Sequence, residues 1–402
     1  MQTTMTERER IVRTLRGEPC DKIPWATRLD IWYTAVRRSG TLPAEFADMD
    51  LMEIHRHLGI GRQCYIWVTR MLLHGVEVSV EFNGDVIRKE HHPLMTFPIP
   101  GSYVPAEEPG DTKVIFKTPA GTSYLRYRKT ETTIREAEAP YLIDHILKDD
   151  DDFQVVKWIL DHAEQVASFE GFNHVEEQTG DYGFTVPILG RIPFQQIMLE
   201  YMGEERAIYT LMDNSIQIDY LLGALGEHAC RSLELGLELP SVMVEFVDNF
   251  EGTITSPTLF QKYCLPFLQA CADRAHSMGR VLGSHMDGNM KPLVHLIPEC
   301  GIDVVESFSP APLTALAFEE AWNEWRGKVL MWGAIPSTLF EPYIPEKDFE
   351  GWLETMFDTL AGDKRIILGI GDQALGPTLT DRIKRVSKLL GRNPNSDSSD
   401  LP

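Results

Sequence analysis

The hydrophobic and polar positions at the start of the chain predict a helix. Thr6-Glu7-Arg8-Glu9 has the form of a capping box, Ile11, Val12 and Leu15 mark one helical face, and Gly17 closes it. Pro19 and Pro24 then bracket an extended piece, 23–28, read as a first strand. A helical pattern follows around 44–58, and Cys64-Tyr65-Ile66-Trp67-Val68 reads as a strand. Between 76 and 133 the period changes to two. Val76-Glu77-Val78-Ser79-Val80-Glu81-Phe82 alternates, Asn83-Gly84 supplies the positive φ angles of a tight turn, and Val86-Ile87-Arg88 returns. A second hairpin is expected around Pro119-Ala120-Gly121.

From 141 onward strands and helices alternate. Helical patterns cover about 150–168, 192–200, 203–212 and 214–236, with Asp149 to Asp152 at a helix start where acids meet the dipole. Apolar runs stand at 184–189, 242–247, 281–285, 304–308, 329–332 and 366–370, each followed by a helical stretch. Buried runs alternating with amphipathic helices imply a parallel sheet covered by helices. About eight such units, without a GxGxxG opening, predict a closed (β/α)8 TIM-type barrel rather than a doubly wound sheet. The expected organisation is therefore a single barrel over 1–392 carrying an antiparallel β-hairpin insertion at 76–133. Segment 91–106, with four prolines, is expected to be irregular and to lie near the site. The tail 393–402 is read as disordered.

Composition narrows the function. Lys+Arg number 38 against 60 Asp+Glu, a formal charge of −22 with no basic run, so nucleic acid and anionic membrane are excluded as partners. Six scattered cysteines without a CxxC pair fit a reducing compartment. The first residues have no apolar core of a signal peptide, and the longest uncharged stretch is broken by proline. A soluble, cytoplasmic protein is expected.

In a barrel, functional residues gather at the C-terminal strand ends. Those ends here carry Asp248-Asn249, His285-Met286-Asp287-Gly288, Glu306-Ser307 and Gly371-Asp372-Gln373. One imidazole with several carboxylates suits a zinc-like ion. The same residues equally make a hydrogen-bonded rim in which Asp287 caps a following helix and His285 is neutral and buried. Cys264 falls inside a helical pattern and reads first as packing.

Several segments resemble one family. Arg8 to Pro19 with Asp21-Lys22-Ile23-Pro24, Ser256-Pro257-Thr258-Leu259-Phe260, Leu265-Pro266-Phe267, His285-Met286-Asp287-Gly288, and the last strand up to Gly371-Asp372 are similar to the uroporphyrinogen decarboxylase superfamily. The resemblance implies a (β/α)8 barrel and either a porphyrinogen decarboxylase or a zinc-dependent methyltransferase that exchanges methyl groups with a corrinoid protein. The decarboxylase pattern Arg-Gln-Ala-Gly-Arg-Tyr reads here Arg28-Leu29-Asp30-Ile31-Trp32-Tyr33, with one guanidinium lost and a carboxylate gained. That counts against a substrate with many carboxylates.

The methyltransferase branch ligates zinc through His-x-Cys and a later Cys. The matching positions here are His285, Asp287 and Asp372, whose oxygens leave a harder ion suited to an oxygen donor. The resemblance thus implies zinc on these three residues and a corrinoid on a partner protein. It places Arg28, Trp32, Asn249 and Glu306 toward substrate, and a homodimer is a family-based expectation. A decarboxylase would instead use Asp248 and Tyr33 around a substrate carboxylate. A barrel that binds a ligand without catalysis is the third reading.

Overall fold

Eight parallel strands form the central sheet. In chain order they are β1 (Ala26–Thr27), β2 (Gly61–Trp67), β3 (Gly183–Ile188), β4 (Met243–Phe246), β5 (Val281–His285), β6 (Val304–Phe308), β7 (Leu330–Pro336) and β8 (Ile367–Gly371). They neighbour one another in that same order, and a parallel bridge from Trp25 to Leu368 brings β1 against β8. With flanking helices this is the (β/α)8 TIM-type barrel expected from the sequence. The computed structural model describes residues 5–98, 103–213, 215–392 and 394. Nearly all of the expected disordered tail, and the part of the proline-rich segment at 99–102, lie outside the described residues.

The strands are β because their runs are buried on both faces, as in β6, where every residue of Val-Val-Glu-Ser-Phe is buried. Phe184, Val186, Ile188, Met243, Val304, Trp332 and Ile367 pack together with Ala26 as the core. The first helix, Glu7–Leu15, carries the capping box read in the sequence, with Thr6 accepting from the Glu9 N–H and Glu9 accepting from the Thr6 N–H. One expected helix is missing. After β5 the chain makes only the short turns Lys291–Leu293 and Ile297–Cys300, because Pro292 and Pro298 interrupt it and Gly301 turns with φ 74°.

Contacts divide the chain into two units, Met1–Ile66 with Glu170–Ile188 and Pro240–Pro402, and Trp67–Phe169 with Leu189–Leu239. The second holds a five-stranded antiparallel sheet, ordered Asp85–His91, Glu77–Phe82, Gly110–Thr118, Gly121–Lys129, Tyr141–Asp144. Its first hairpin turns on Asn83 and Gly84, with φ 51° and 96°. The helix expected over 150–168 is shorter. It ends at His162, and Ala163–Ala167 pairs antiparallel with Thr69–Leu73. Among the described residues no helix is long and apolar enough to cross a membrane.

His55 gives the fold a pH dependence. It lies wholly buried on the helix Leu51–Leu58, and burial, aided by the positive charge of Arg62, pushes its pKa down to about 3. Below the ordinary histidine value of about 6.5 the unfolded chain takes up a proton that the folded chain refuses. Each pH unit between there and about 3 should therefore cost about 1.4 kcal/mol of stability. Urea unfolding at pH 5.5 and 4.5 should show that loss in the wild type and a shallower slope in His55→Leu. Equal slopes would remove His55 from the account.

Candidate metal centre

Strand alternation decides which side chains enter the barrel. Gln63 and Tyr65 share one face of β2, and on β5 Gly283 shares a face with His285. Register then sets neighbours: Glu245 of β4 stands beside Gly283, and His285 stands beside Glu306 of β6. Gly283 is needed here, since a Cβ on it would lie 3.2 Å from Glu245 Oε2 and collide with the Met243 side chain. The result is a polar layer in an otherwise apolar barrel.

Glu306 is its hub. It is 1% exposed, Gln63 Nε2 donates to its Oε1 at 2.6 Å, and Tyr65 donates to Oε2. His285 Nδ1 lies 2.8 Å from the same Oε2, so three donors surround one carboxylate. Burial alone would raise the Glu306 pKa, but the His285 charge and hydrogen bond hold it below the usual carboxylate value. His285 shows the converse. Burial would lower it, yet the charge of Glu306 and the pairing with Asp287 push it up to about 10.

With Nδ1 turned to Glu306, the other ring nitrogen points to the rim. His285 Nε2 stands 3.5 Å from Asp287 Oδ2 and 3.9 Å from Asp372 Oδ1. One atom from each of the three residues falls within 4.8 Å of the others. Asn249 Nδ2 donates to Asp287 at 2.7 Å, and Arg28 Nη2 meets Asp372 Oδ1 at 2.5 Å. Burial would raise Asp287, but His285 and Asn249 hold it down at about 2. Asn249, Ser307 and Asp372 all have left-handed backbones, with φ of 49°, 59° and 60°. Such conformations cost about 1–3 kcal/mol each in non-glycine residues and gather at functional sites.

The structure brings together His285, Asp287, Asp372, Glu306, Asn249 and Arg28. Asp248 sits elsewhere. It is fully buried and accepts the Ser284 hydroxyl at 2.6 Å, and Ser284 points to the face of β5 opposite His285. Tyr33 and Trp32 are not brought to the cluster either. Tyr33 donates to the Met49 carbonyl at 3.4 Å, and the Trp32 ring packs edge-on against Phe46. The physical reason is that a helix starts at Asp30 and turns both side chains away from the line of the strand. Cys264 is completely buried, and burial together with the nearby Asp248 keeps its thiol protonated.

Three members escape a reading of strand ends, because Gln63, Tyr65 and Glu245 lie within strands. Their signal is a polar side chain inside an apolar run, as in Met243-Val244-Glu245-Phe246. Glu245 is 0% exposed, and neither oxygen of its carboxyl has a hydrogen-bond partner. Burial, reinforced by the charge of Glu306, raises its pKa well above the usual value, so it is a neutral acid.

Glu245, His285 and Glu306 also come within 4.8 Å of one another. Glu306 already accepts from Gln63, Tyr65 and His285 and Glu245 is a neutral acid, however, whereas Asp287 Oδ2 faces Nε2 directly and Asp372 Oδ1 is shared with Arg28. The rim is the better cation site.

No family model matches the chain, and no curated protein matches it. Among solved structures, a methyltransferase from Methanosarcina mazei is similar to 96% of this chain over 98% of its own, with a TM-score of 0.56 and 14% identity. At that identity the likeness is one of fold alone, a barrel shared over nearly the whole length of both chains.

Proposed function

We propose that the chain is a metal-assisted, methyltransferase-like enzyme acting on a small methyl donor. Zinc would be held by His285, Asp287 and Asp372, and a corrinoid on a partner protein would be the acceptor. One observation carries this reading: the two nitrogens of His285 are divided between Glu306 on one side and two rim carboxylates on the other. A metal-ligating histidine characteristically donates its second ring N–H to a carboxylate, which fixes the tautomer and aims the free nitrogen.

The donor set fits the ion. Ligands of a tetrahedral zinc lie about 2.1 Å from the metal, hence about 3.4 Å from each other. His285 Nε2 is 3.5 and 3.9 Å from its two partners, so small side-chain rotations suffice. An ion held by three protein groups keeps a position open for substrate, and when bound it supplies Lewis acidity to an oxygen of the donor. The protein's own part is orientation. Glu306 holds the proton on Nδ1, Asn249 steadies Asp287, and Arg28 steadies Asp372.

The methyltransferase-like fold supports the reading, and the corrinoid acceptor follows from the family resemblance in the sequence. A decarboxylase is less well supported. Arg28, the cation it would need for a substrate carboxylate, is already committed to Asp372, and the Tyr33 hydroxyl lies against Met49.

The test uses zinc-loaded protein, reduced cobalamin and a panel of methanol, methoxylated aromatics and methylated amines. Appearance of the methylcobalamin absorbance that needs zinc, and that is lost in His285→Ala, is expected. Conversion of uroporphyrinogen to coproporphyrinogen by metal-free protein would overturn the proposal.

A further inference from the structure

A cavity of about 410 Å³ opens beside the rim carboxylates, lined by Asp287 and Asp372 and also by Glu251, Ser337, Thr314 and Gln373. We infer that this cavity receives the body of the methyl donor and selects for positive charge there, a methylated ammonium group being the simplest case. The inference rests on the reading of the rim as a methyl-donor site and names its substrate class.

Charge is the first argument. Three carboxylates and no Lys or Arg line the cavity. Glu251 is fixed in place, since Oε1 accepts from the Thr253 N–H at 3.1 Å and its hydroxyl at 2.7 Å, and Oε2 accepts from the Asn289 N–H at 3.2 Å. A divalent ion and Arg28, which pairs with Asp372 at 2.5 Å, would balance Asp287, Asp372 and the buried Glu306 but leave Glu251 facing the ligand. In a partly desolvated cavity an unbalanced charge is screened less than in water. It therefore attracts a cation and repels carboxylate or phosphate.

Ser337 is the second, independent argument. It follows directly on β7, is 6% exposed and lines the cavity, yet its hydroxyl makes no hydrogen bond among the described residues. The hydroxyls around it are spent internally: Thr314 donates to the Ser309 carbonyl at 2.7 Å and Ser309 to the Ser307 carbonyl at 3.0 Å. The residue is buried but its hydroxyl opens onto the cavity, where a polar ligand group can take the place of water as its partner. Ser337 is thus a positioning residue for a hydroxyl or ether on the donor.

Two ligands of one shape isolate the charge: choline and its neutral carbon isostere, 3,3-dimethylbutan-1-ol. Calorimetry on zinc-loaded protein should give choline the tighter binding by about tenfold. Glu251→Gln should reduce that ratio toward one with zinc content unchanged. Ser337→Ala should weaken both ligands about threefold to tenfold and leave the ratio intact. The inference is overturned if the neutral isostere binds as tightly, if the preference survives Glu251→Gln, or if neither ligand binds at about 10 mM. Failure of the wild-type protein to take up zinc would instead count against the metal reading. The same pair run on metal-free protein then decides the cavity's preference by itself.

Discussion

Glu306→Ala should weaken zinc binding about 10- to 100-fold and cost about 3–5 kcal/mol of stability. The carboxylate is the common acceptor of Gln63, Tyr65 and His285, all on strands of the barrel. Removing it leaves Gln63 without its acceptor in a buried layer, and leaves Tyr65 and His285 Nδ1, 2.9 Å apart, with only each other. It also takes away the main negative charge that keeps the His285 pKa as high as about 10. Burial then dominates and the imidazole titrates lower, which eases exchange of its proton for a metal. The ring also loses the bond that aims Nε2 at the rim, and the lost aim is the larger effect. Glu306→Gln keeps the shape and one acceptor oxygen, so it should retain most of the stability while still losing zinc affinity. Chelator competition reads the affinity and urea unfolding reads the stability. Unchanged zinc affinity in both variants would mean that Glu306 does not orient the ligand.

Glu245→Leu should have the opposite sign and stabilise the protein by about 1–3 kcal/mol. A fully buried carboxyl with both oxygens unpartnered holds its proton in the folded chain, while the unfolded chain releases it above the ordinary glutamate value. Folding is therefore opposed increasingly as pH rises from about 4.5, and the gain from leucine should be larger at pH 7.5 than at pH 4.5. Leucine is of similar size and has no polar atom to leave unpartnered. A loss of stability on substitution would show that the carboxyl has a bound partner in solution. Retention of so costly a group beside His285 and Glu306 is what a functional layer, rather than a packing layer, exhibits.

The barrel was legible because its signals are local. A run such as Val-Leu-Gly-Ser-His at β5 has the length and burial of a parallel strand, and Asn83-Gly84 demands a hairpin. The strand Ala163–Ala167 was hidden because Ala-Glu-Gln continues a helical pattern, and pairing with Thr69–Leu73 overrides that propensity. The same contrast runs through the site. Glu306, expected at an end, is the middle residue of β6, but His285, Asp287 and Asp372 stand at or just beyond strand ends, where the fold gathers polar groups. Tyr65 and Glu245 do not, and only the parity of each strand places them inside. Trp32 and Tyr33 follow Arg28 closely in sequence but belong to a helix, so adjacency in the chain misleads.

Zinc content tests the central claim most directly. Wild-type protein and the double variant Asp287→Asn with Asp372→Asn are loaded with zinc, dialysed and measured for metal per chain, with circular dichroism as the check on folding. The account predicts one zinc per wild-type chain and an affinity at least about 100-fold weaker in the folded double variant, since both carboxylate ligands are neutralised. A wild-type chain that takes up no zinc, or a double variant that holds it unchanged, would contradict the rim as the metal centre.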